Sequence, residues 1–180
     1  FGEKANVEVE AALTDLEDRG MRALIFDLRG NPGGLLNAAV QISDKFLKDD
    51  QLIVYGEGRN PQIAPRKEFR TSDRATHPDY PIVVLVDGSS ASASEIVAGC
   101  LKDNDRAKVV GEKTFGKGSV QKILPINGQH GAALRLTTAK YYTPSHEVIH
   151  GNGIEPHHKV KMSREDEELL FLQRTPGGLK

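Results

Sequence analysis

The segment PIVVLVD at residues 81–87 constrains the fold more than any other stretch of the chain. It is a continuous apolar run of strand length, rich in β-branched residues, and it is typical of a buried β-strand. The small residues GSSASAS follow directly, and EIVAGCLKD then shows helical periodicity. A strand that leads through a short turn into a helix is typical of α/β proteins. The segment therefore predicts an α/β domain.

Strands and helices alternate along the rest of the chain as well. Helical periodicity predicts helices at residues 5–19, 35–48 and 163–174. Short apolar or β-branched segments predict strands at residues 22–28, 51–58, 107–112, 119–126 and 133–142. A polar stretch at 59–80 predicts an exposed hairpin or loop. We see no linker and no internal repeat, so we expect one domain over residues 1–180. Because the chain starts at Phe1, we expect it to be a fragment of a longer protein.

Composition and charge exclude several functional classes. The net charge is −1 and there is no Trp, which argues against a nucleic-acid partner and against anionic lipid. No apolar run approaches the roughly 20 residues that a membrane-spanning helix needs. Cys100 is the single cysteine, so an intrachain disulfide is impossible. We expect Cys100 to fill space in the core and not to act as a nucleophile.

The glycine-rich segment GEKTFGKGS at residues 111–119 nearly matches a phosphate-binding loop. That loop requires Ser or Thr directly after the lysine, and it must open a helix. Here Gly118 follows Lys117, and SVQKILPI beyond it predicts a strand. A nucleotide site is therefore not expected. A lysine held in a glycine-rich pocket loses water contacts and can then act as a neutral general base, whereas the alternative is a solvated loop lysine.

The turn between residues 88 and 99, GSSASASEIVAG, concentrates serines between a predicted strand and a predicted helix. Ser92 and Glu95 fit the S-x-x-E capping box. Capping is compatible with catalysis, because free amides at a helix N-terminus can hold a developing oxyanion. Composition does not choose among the serines of this turn, which are Ser89, Ser90, Ser92 and Ser94.

Four motifs together resemble the catalytic core of the carboxyl-terminal processing proteases, also called tail-specific proteases. They are LIFDLRGNPGGLL (24–36), VVLVDGSSASASEIVAG (83–99), VVGEKTFGKGSVQ (109–121) and LRLTTAKYYTPS (134–145). With the weaker GNGIEP motif, the resemblance covers most of residues 1–160. It implies a ClpP/crotonase-like fold, in which ββα units wind into a spiral. It also implies a serine endopeptidase that cleaves protein substrates near their C-termini.

The resemblance assigns roles to particular residues. Ser92 matches the nucleophile, Lys117 the general base, and Gln121 the residue that orients the lysine. The backbone amides of Gly34 and Ala93 match the oxyanion hole. This serine–lysine dyad needs no histidine, metal or cofactor.

Other implications of the resemblance are less direct. Asp103 lies where some members carry an acidic residue needed for activity. The family more often has Asn-Gly-Gly where this chain has Asp87-Gly88-Ser89, and the change adds a charge near the site. Members also carry a PDZ domain that recognises substrates with free C-termini and gates the site, and we find no such domain in this sequence. They act in the periplasm, the cell envelope or the chloroplast lumen, so we expect an extracytoplasmic location.

A second motif, HEVIH at residues 146–150, matches the zinc-protease pattern H-E-x-x-H. That pattern requires a helix, yet Pro144 precedes it and Gly151-Asn152-Gly153 follow it. We therefore expect surface histidines and no metal, although His157 and His158 offer further ligands. Two alternatives to the serine endopeptidase stay open at this point: a non-catalytic ligand-binding relative of the same fold, and a zinc peptidase.

Overall fold

The computed structural model of the chain describes residues 1–72, 77, 79–126 and 131–175. The helices are α1 (Ala5–Asp18), α2 (Leu36–Asp44), α3 (Ala93–Asp103) and α4 (Arg164–Arg174). The strands are β1 (Leu24–Asp27), β2 (Leu52–Glu57), β3 (Lys67–Arg70), β4 (Ile82–Val86), β5 (Lys108–Gly111), β6 (Ser119–Pro125), β7 (Ala133–Tyr142) and β8 (His158–Lys159). The predicted elements are confirmed, with ends that move by a few residues.

One sheet is parallel and has the strand order β1-β4-β5-β8. Ile82, Val84 and Val86 of β4 are buried, whereas Val83 and Leu85 on the other face are only half-buried. Ile25 of the neighbouring strand β1 is 68% exposed. The sequence predicts a fully buried strand at 81–87. Within the described residues, one face of that strand is covered only in part.

The second sheet is antiparallel and has the order β3-β2-β7-β6. The predicted polar loop at 59–80 contributes β3 to it, and residues 73–76 and 78 of that loop lie outside the described residues. β6 and β7 form a long hairpin with exposed apolar side chains, such as Ile123 at 71%. β6 begins directly after residues 112–118, which we call the lysine loop, so the hairpin continues from this loop.

The core lies where α2, α3 and the parallel sheet meet. Its fully buried members include Ile42, Val84, Val97, Leu101 and Val109. In a parallel sheet the carboxyl ends of adjacent strands lie at one edge, where ligands bind in α/β proteins. Three segments therefore meet at this edge. They are the glycine turn after β1 (residues 28–35), the serine turn after β4 (residues 87–92) and the lysine loop after β5. Across the described part of the chain, no helix is long and apolar enough to cross a membrane.

Candidate active site

Ser92 lies in a strained position between β4 and α3. Its backbone adopts φ 57° and ψ −115°, where a non-glycine residue is rare. Ser92 precedes the first residue of α3, so its side chain stands at the helix N-terminus, beside backbone amides without intrahelical acceptors. Ser92 is thus next to the Ala93 amide, which has no acceptor among the described residues.

The neighbouring serines differ from Ser92 in a way that the sequence does not reveal. Ser90 is fully buried and its hydroxyl donates to the Leu28 carbonyl oxygen at 2.8 Å. Ser94 is also fully buried and donates to the Asn31 carbonyl oxygen at 2.9 Å. Both hydroxyls are therefore committed to holding the glycine turn, whereas Ser92 is half-buried.

Glu95 joins the serine turn to the lysine loop. Its carboxylate is fully buried, and its Oε2 accepts a hydrogen bond from the Ser92 amide at 2.8 Å and from the Lys117 amide at 2.8 Å. The backbone nitrogens of Ser92 and Lys117 therefore lie within two hydrogen-bond lengths of each other. The Ser92–Glu95 contact of the predicted capping box is confirmed.

The other oxygen of the same carboxylate binds the lysine loop a second time. Glu95 Oε1 accepts from the Thr114 hydroxyl at 2.6 Å and from the Gly116 amide at 2.7 Å. Four donors thus stabilise the buried charge, and the positive end of α3 favours a carboxylate in its first turn. The sequence suggested Glu95 only as a cap and did not show its contacts with residues 114–117.

The glycines of the lysine loop permit close backbone packing. A Cβ at Gly118 would lie 2.6 Å from the His150 nitrogen, and one at Gly116 would lie 3.2 Å from the Gly153 nitrogen. The Gly151 amide also donates to the Gly116 carbonyl oxygen at 2.9 Å. The loop is therefore held between Glu95 on one side and residues 149–153 on the other.

The surroundings of the Lys117 side chain differ from those that a neutral general base requires. Such a base must be shielded from water, but Lys117 is exposed, as in the alternative of a solvated loop lysine, although its backbone is fixed by Glu95. The described part of the chain holds the backbone of Lys117 beside the serine turn and leaves the residue exposed.

The glycine turn after β1 approaches the serine turn through Gly33, whereas a Cβ at Gly34 would clash with the Phe1 carbonyl oxygen. A Cβ at the preceding Gly33 would lie 2.6 Å from the Ala93 nitrogen, and Gly33 adopts φ +89°, so only glycine fits there. The Ala91 amide donates to the Asn31 carbonyl oxygen at 3.0 Å, which joins the two turns. Within the described residues, neither the Gly34 amide nor the Ala93 amide donates to a protein acceptor. Two unused donors are what an oxyanion hole requires.

Asp87 ties the two turns together a second time. Its Oδ2 accepts from the Gly30 amide at 2.8 Å, and its Oδ1 accepts from the amides of Ser89 and Ser90 at 2.9 Å each. The charge that departs from the family pattern is therefore used as a hydrogen-bond acceptor for both turns, a role that the sequence did not show.

Gln121 is not hydrogen-bonded to Lys117. Its side-chain amide donates instead to the Thr137 hydroxyl at 2.7 Å, across the β6–β7 hairpin. An irregular register between Val120 and Gln121 lies at the start of this hairpin. The predicted orienting contact with the lysine is absent from the contacts of the described residues.

Asp103 lies at the opposite end of α3 from Ser92. The helix has 11 residues, so the two ends are about 16 Å apart. Asp103 accepts hydrogen bonds from the Ser145 amide at 3.0 Å and from the Ser145 hydroxyl at 2.6 Å. Asp103 therefore does not lie beside Ser92, and its role as an acidic residue needed for activity stays a prediction from the resemblance.

The HEVIH segment is not helical. Residues 146–150 contain one isolated bridge, between Val148 and Tyr142, and lie between turns at 144–145 and 150–152, which confirms the expectation from the flanking proline and glycines. The His146 ring nitrogen Nδ1 contacts the Tyr55 hydroxyl at 3.0 Å, and His157 Nδ1 accepts from the Val109 amide at 3.0 Å. Among the described residues, no group of three or more His, Cys, Asp or Glu side chains is arranged to hold a metal ion.

Two further features border the site without joining it. Cys100 is fully buried, and burial raises the pKa of its thiol, so it has the inert character expected of core filler.

A cavity of about 560 Å³ lies on the partly covered face of the parallel sheet, between the end of β4 and α4. Gly30, Asp87 and Ser89 line it, but Ser92, Lys117 and Gln121 do not.

Several known proteins are similar to this chain in sequence. The sequence model of peptidase family S41 matches residues 1–160. A carboxy-terminal-processing protease of Bartonella bacilliformis is 46% identical over 160 residues, which are 87% of this chain and 36% of that protein. A carboxyl-terminal-processing protease of Synechocystis is 45% identical over 161 residues, with 89% and 36% coverage. The chain therefore spans about a third of the length of the curated relatives it matches.

Solved structures give the same result for the fold. The photosystem II D1 C-terminal processing protease superposes with a TM-score of 0.81 at 32% identity, over 89% of this chain and 40% of that one. A putative S41 protease from Bacteroides fragilis, at 18% identity, superposes with a TM-score of 0.67 over 93% and 44% of the two chains, which supports the fold alone. These likenesses confirm the predicted ClpP-like α/β fold.

Proposed function

The chain belongs to peptidase family S41, and from this premise we propose that it is the catalytic core of a serine endopeptidase that cleaves polypeptides near their C-termini. The relatives named carboxyl-terminal-processing proteases support both the reaction and the substrate class. The observation that carries the proposal is the buried Glu95 carboxylate, which binds the backbone of Ser92 and of Lys117 through one oxygen.

The proposed reaction uses Ser92 as nucleophile and Lys117 as general base. The neutral amine of Lys117 takes the proton of the Ser92 hydroxyl while the oxygen attacks the scissile carbonyl carbon. The amides of Gly34 and Ala93 donate to the resulting oxyanion, and the ammonium group of Lys117 then protonates the leaving amine. Water, activated by the same lysine, hydrolyses the acyl-enzyme and restores Ser92.

In this proposal, substrate binding also removes water from Lys117. Lys117 is exposed, and removing water favours the neutral form of a lysine over the charged form. A polypeptide that covers Lys117 would supply this desolvation. Gln121 would have to exchange its bond with Thr137 for one with Lys117, so its orienting role requires a rearrangement of the hairpin start.

Partners and location follow from the same family membership. We infer that a PDZ domain in the longer protein delivers substrates with free C-termini to the dyad, and that the protein acts outside the cytoplasm. The name of an Arabidopsis thaliana relative, 42% identical over 156 residues, describes it as chloroplastic.

A second candidate is the non-catalytic ligand-binding relative, which the exposure of Lys117 and the Gln121–Thr137 bond favour. A serine-directed phosphonate probe distinguishes the two. We expect the probe to label the chain at Ser92 and to fail with Ser92→Ala and with Lys117→Ala. Absence of labelling of the unaltered protein in the presence of peptide substrate would favour the binding protein. Inhibition by a chelator, unchanged by Ser92→Ala, would favour a zinc peptidase instead.

A further inference from the structure

Phe115 is a large apolar side chain that stands exposed beside the proposed dyad. It is 67% exposed, although its neighbours Thr114 and Gly116 are buried. A single exposed apolar residue is ordinary on a protein surface, so its significance depends on what surrounds it. Any effect of Phe115 on a substrate depends on the proposed function of Ser92 and Lys117.

The backbone around Phe115 is fixed against the serine turn. The Phe115 amide donates to the Ser90 carbonyl oxygen at 3.0 Å. Two residues further along each segment, the amides of Lys117 and Ser92 share the Glu95 oxygen. The Phe115–Lys117 segment thus runs along the Ser90–Ser92 segment. The hydrogen bond of Phe115 to Ser90 and the hydrogen bond of Lys117 to Glu95 together hold Phe115 next to the serine turn.

Most other residues around the dyad offer little apolar side-chain surface. Gly33 and Gly34 have no side chain, and Ala91 and Ala93 are at least 94% buried. Ser90, Ser94, Asp87 and Glu95 are occupied by the hydrogen bonds that hold the turns. Among the described residues that build the two turns and the lysine loop, Phe115 at 67% and Leu35 at 49% are the exposed large apolar side chains. Phe115 is the one whose backbone is hydrogen-bonded to the serine turn, whereas the Leu35 amide donates to the Phe1 carbonyl oxygen.

We propose that Phe115 determines substrate specificity: its ring contacts an apolar side chain of the polypeptide next to the scissile bond. An aromatic ring and an aliphatic or aromatic side chain both lose water-exposed surface in such a contact. Because Phe115 is two residues from Lys117, the same contact removes water from the lysine when the correct substrate binds. An apolar substrate would thereby help to desolvate the base, and a polar one would not.

Tryptophan fluorescence tests the contact without requiring hydrolysis. The 180 residues contain no tryptophan, so Phe115→Trp introduces a single reporter. We combine it with Ser92→Ala and add two peptides with free C-termini, composed of Gly, Ser and Ala, that differ in having three central leucines or three central serines. Ile123→Trp, at a position that is 71% exposed on the β6–β7 hairpin, is the matched control. Circular dichroism establishes that both variants are folded.

We expect the emission of the Phe115→Trp variant to move to shorter wavelength, in a saturable manner, with the leucine peptide and not with the serine peptide. The Ile123→Trp variant should not respond to either peptide. No shift in the Phe115→Trp variant with the leucine peptide, or equal shifts in both variants, overturns the proposal. A shift in the Phe115→Trp variant, together with failure of the phosphonate probe to label the protein that retains Ser92, would leave the contact intact while the peptidase assignment fails.

Kinetics give a second measurement if the unaltered protein hydrolyses the leucine peptide. Phe115→Ala should lower kcat/KM for that peptide by about tenfold and leave the serine peptide nearly unaffected. Phe115→Leu should restore most of the loss, and Ile123→Ala should change neither value. An equal loss with both peptides would indicate a structural role for Phe115 and contradict the inference.

Discussion

Each end of α3 carries a carboxylate that accepts hydrogen bonds from a distant loop, but the surroundings of the two carboxylates differ. At the N-terminal end, the Glu95 carboxylate accepts hydrogen bonds from the backbone of Ser92 and from the lysine loop. At the C-terminal end, the Asp103 carboxylate accepts two hydrogen bonds from Ser145. Each carboxylate attaches a distant loop to the helix, but Glu95 is fully buried and Asp103 is half-buried.

The difference shows what separates a functional attachment from a structural one. The unpaired amides at a helix N-terminus can stabilise negative charge, whereas a helix C-terminus presents carbonyl oxygens that cannot. The N-terminal end therefore gathers a strained serine, unused amide donors and a lysine. The C-terminal end holds the turn that precedes the HEVIH segment in place through Ser145.

The largest expected effect is a loss of activity at the N-terminal end of α3 that has no counterpart at the C-terminal end. Ser92→Ala and Lys117→Ala should each lower kcat for peptide hydrolysis by on the order of 10⁴-fold, because the nucleophile and its base act as one unit. Ser145→Ala, which removes the hydroxyl held by Asp103, should leave kcat within about twofold of the unaltered protein. Hydrolysis of a fluorogenic peptide with a free C-terminus measures both. Retained activity in Lys117→Ala would contradict the dyad.

Glu95→Gln should damage both stability and activity. A glutamine presents one oxygen and one NH₂ group where two oxygens now accept four donors, so at least one pair of buried donors loses its acceptor. We expect a loss of about 2–4 kcal/mol in the free energy of unfolding and about a 100-fold fall in kcat. Urea denaturation and steady-state kinetics measure these. Unchanged kcat in a folded variant would show that Glu95 does not position the dyad.

Asp103→Asn is the matched change at the other end of α3. It keeps the size of the side chain and one acceptor oxygen but removes the charge that strengthens the bonds from Ser145. We expect a loss of about 1 kcal/mol in the free energy of unfolding and no change in kcat. A fall in kcat comparable to that of Glu95→Gln would instead support the prediction that Asp103 is needed for activity.

The smallest effect is a pH dependence near the C-terminal end of α3. Burial, and then the charges of Lys108 and Lys102, lower the pKa of His157, whose Nδ1 accepts the Val109 amide in the neutral form. The unfolded chain therefore binds this proton at a higher pH than the folded chain does. This contribution to stability is complete above the ordinary histidine pKa of about 6.5 and is lost as the pH falls through the lower folded value.

The size of this effect is limited by solvent. The His157 residue is exposed, so we expect a loss of only a few tenths of a kcal/mol between about pH 7.5 and about pH 5. His157→Asn, which preserves an acceptor for the Val109 amide, should reduce the slope of unfolding free energy against pH. An unaltered slope would show that His157 does not contribute.

The sequence by itself determined the elements and the features that depend on near neighbours. The alternation of strands and helices, the Ser92–Glu95 contact and the non-helical HEVIH segment follow from residues only a few positions apart. Hydrophobic periodicity, capping and the breaking of helices by proline and glycine all act over that range. The motif resemblance added the family and the choice of Ser92.

Only the tertiary structure decided how these features meet. The contacts of Glu95 with residues 114–117, the exposure of Lys117 and the bond from Gln121 to Thr137 join segments that are 16 or more positions apart, or depend on what covers them. Such contacts are set by the order of strands in the sheets and by backbone packing, because the turns after β1, β4 and β5 become neighbours only when those strands pair. No local pattern of residues encodes that order, so the geometry of the site had to come from the fold.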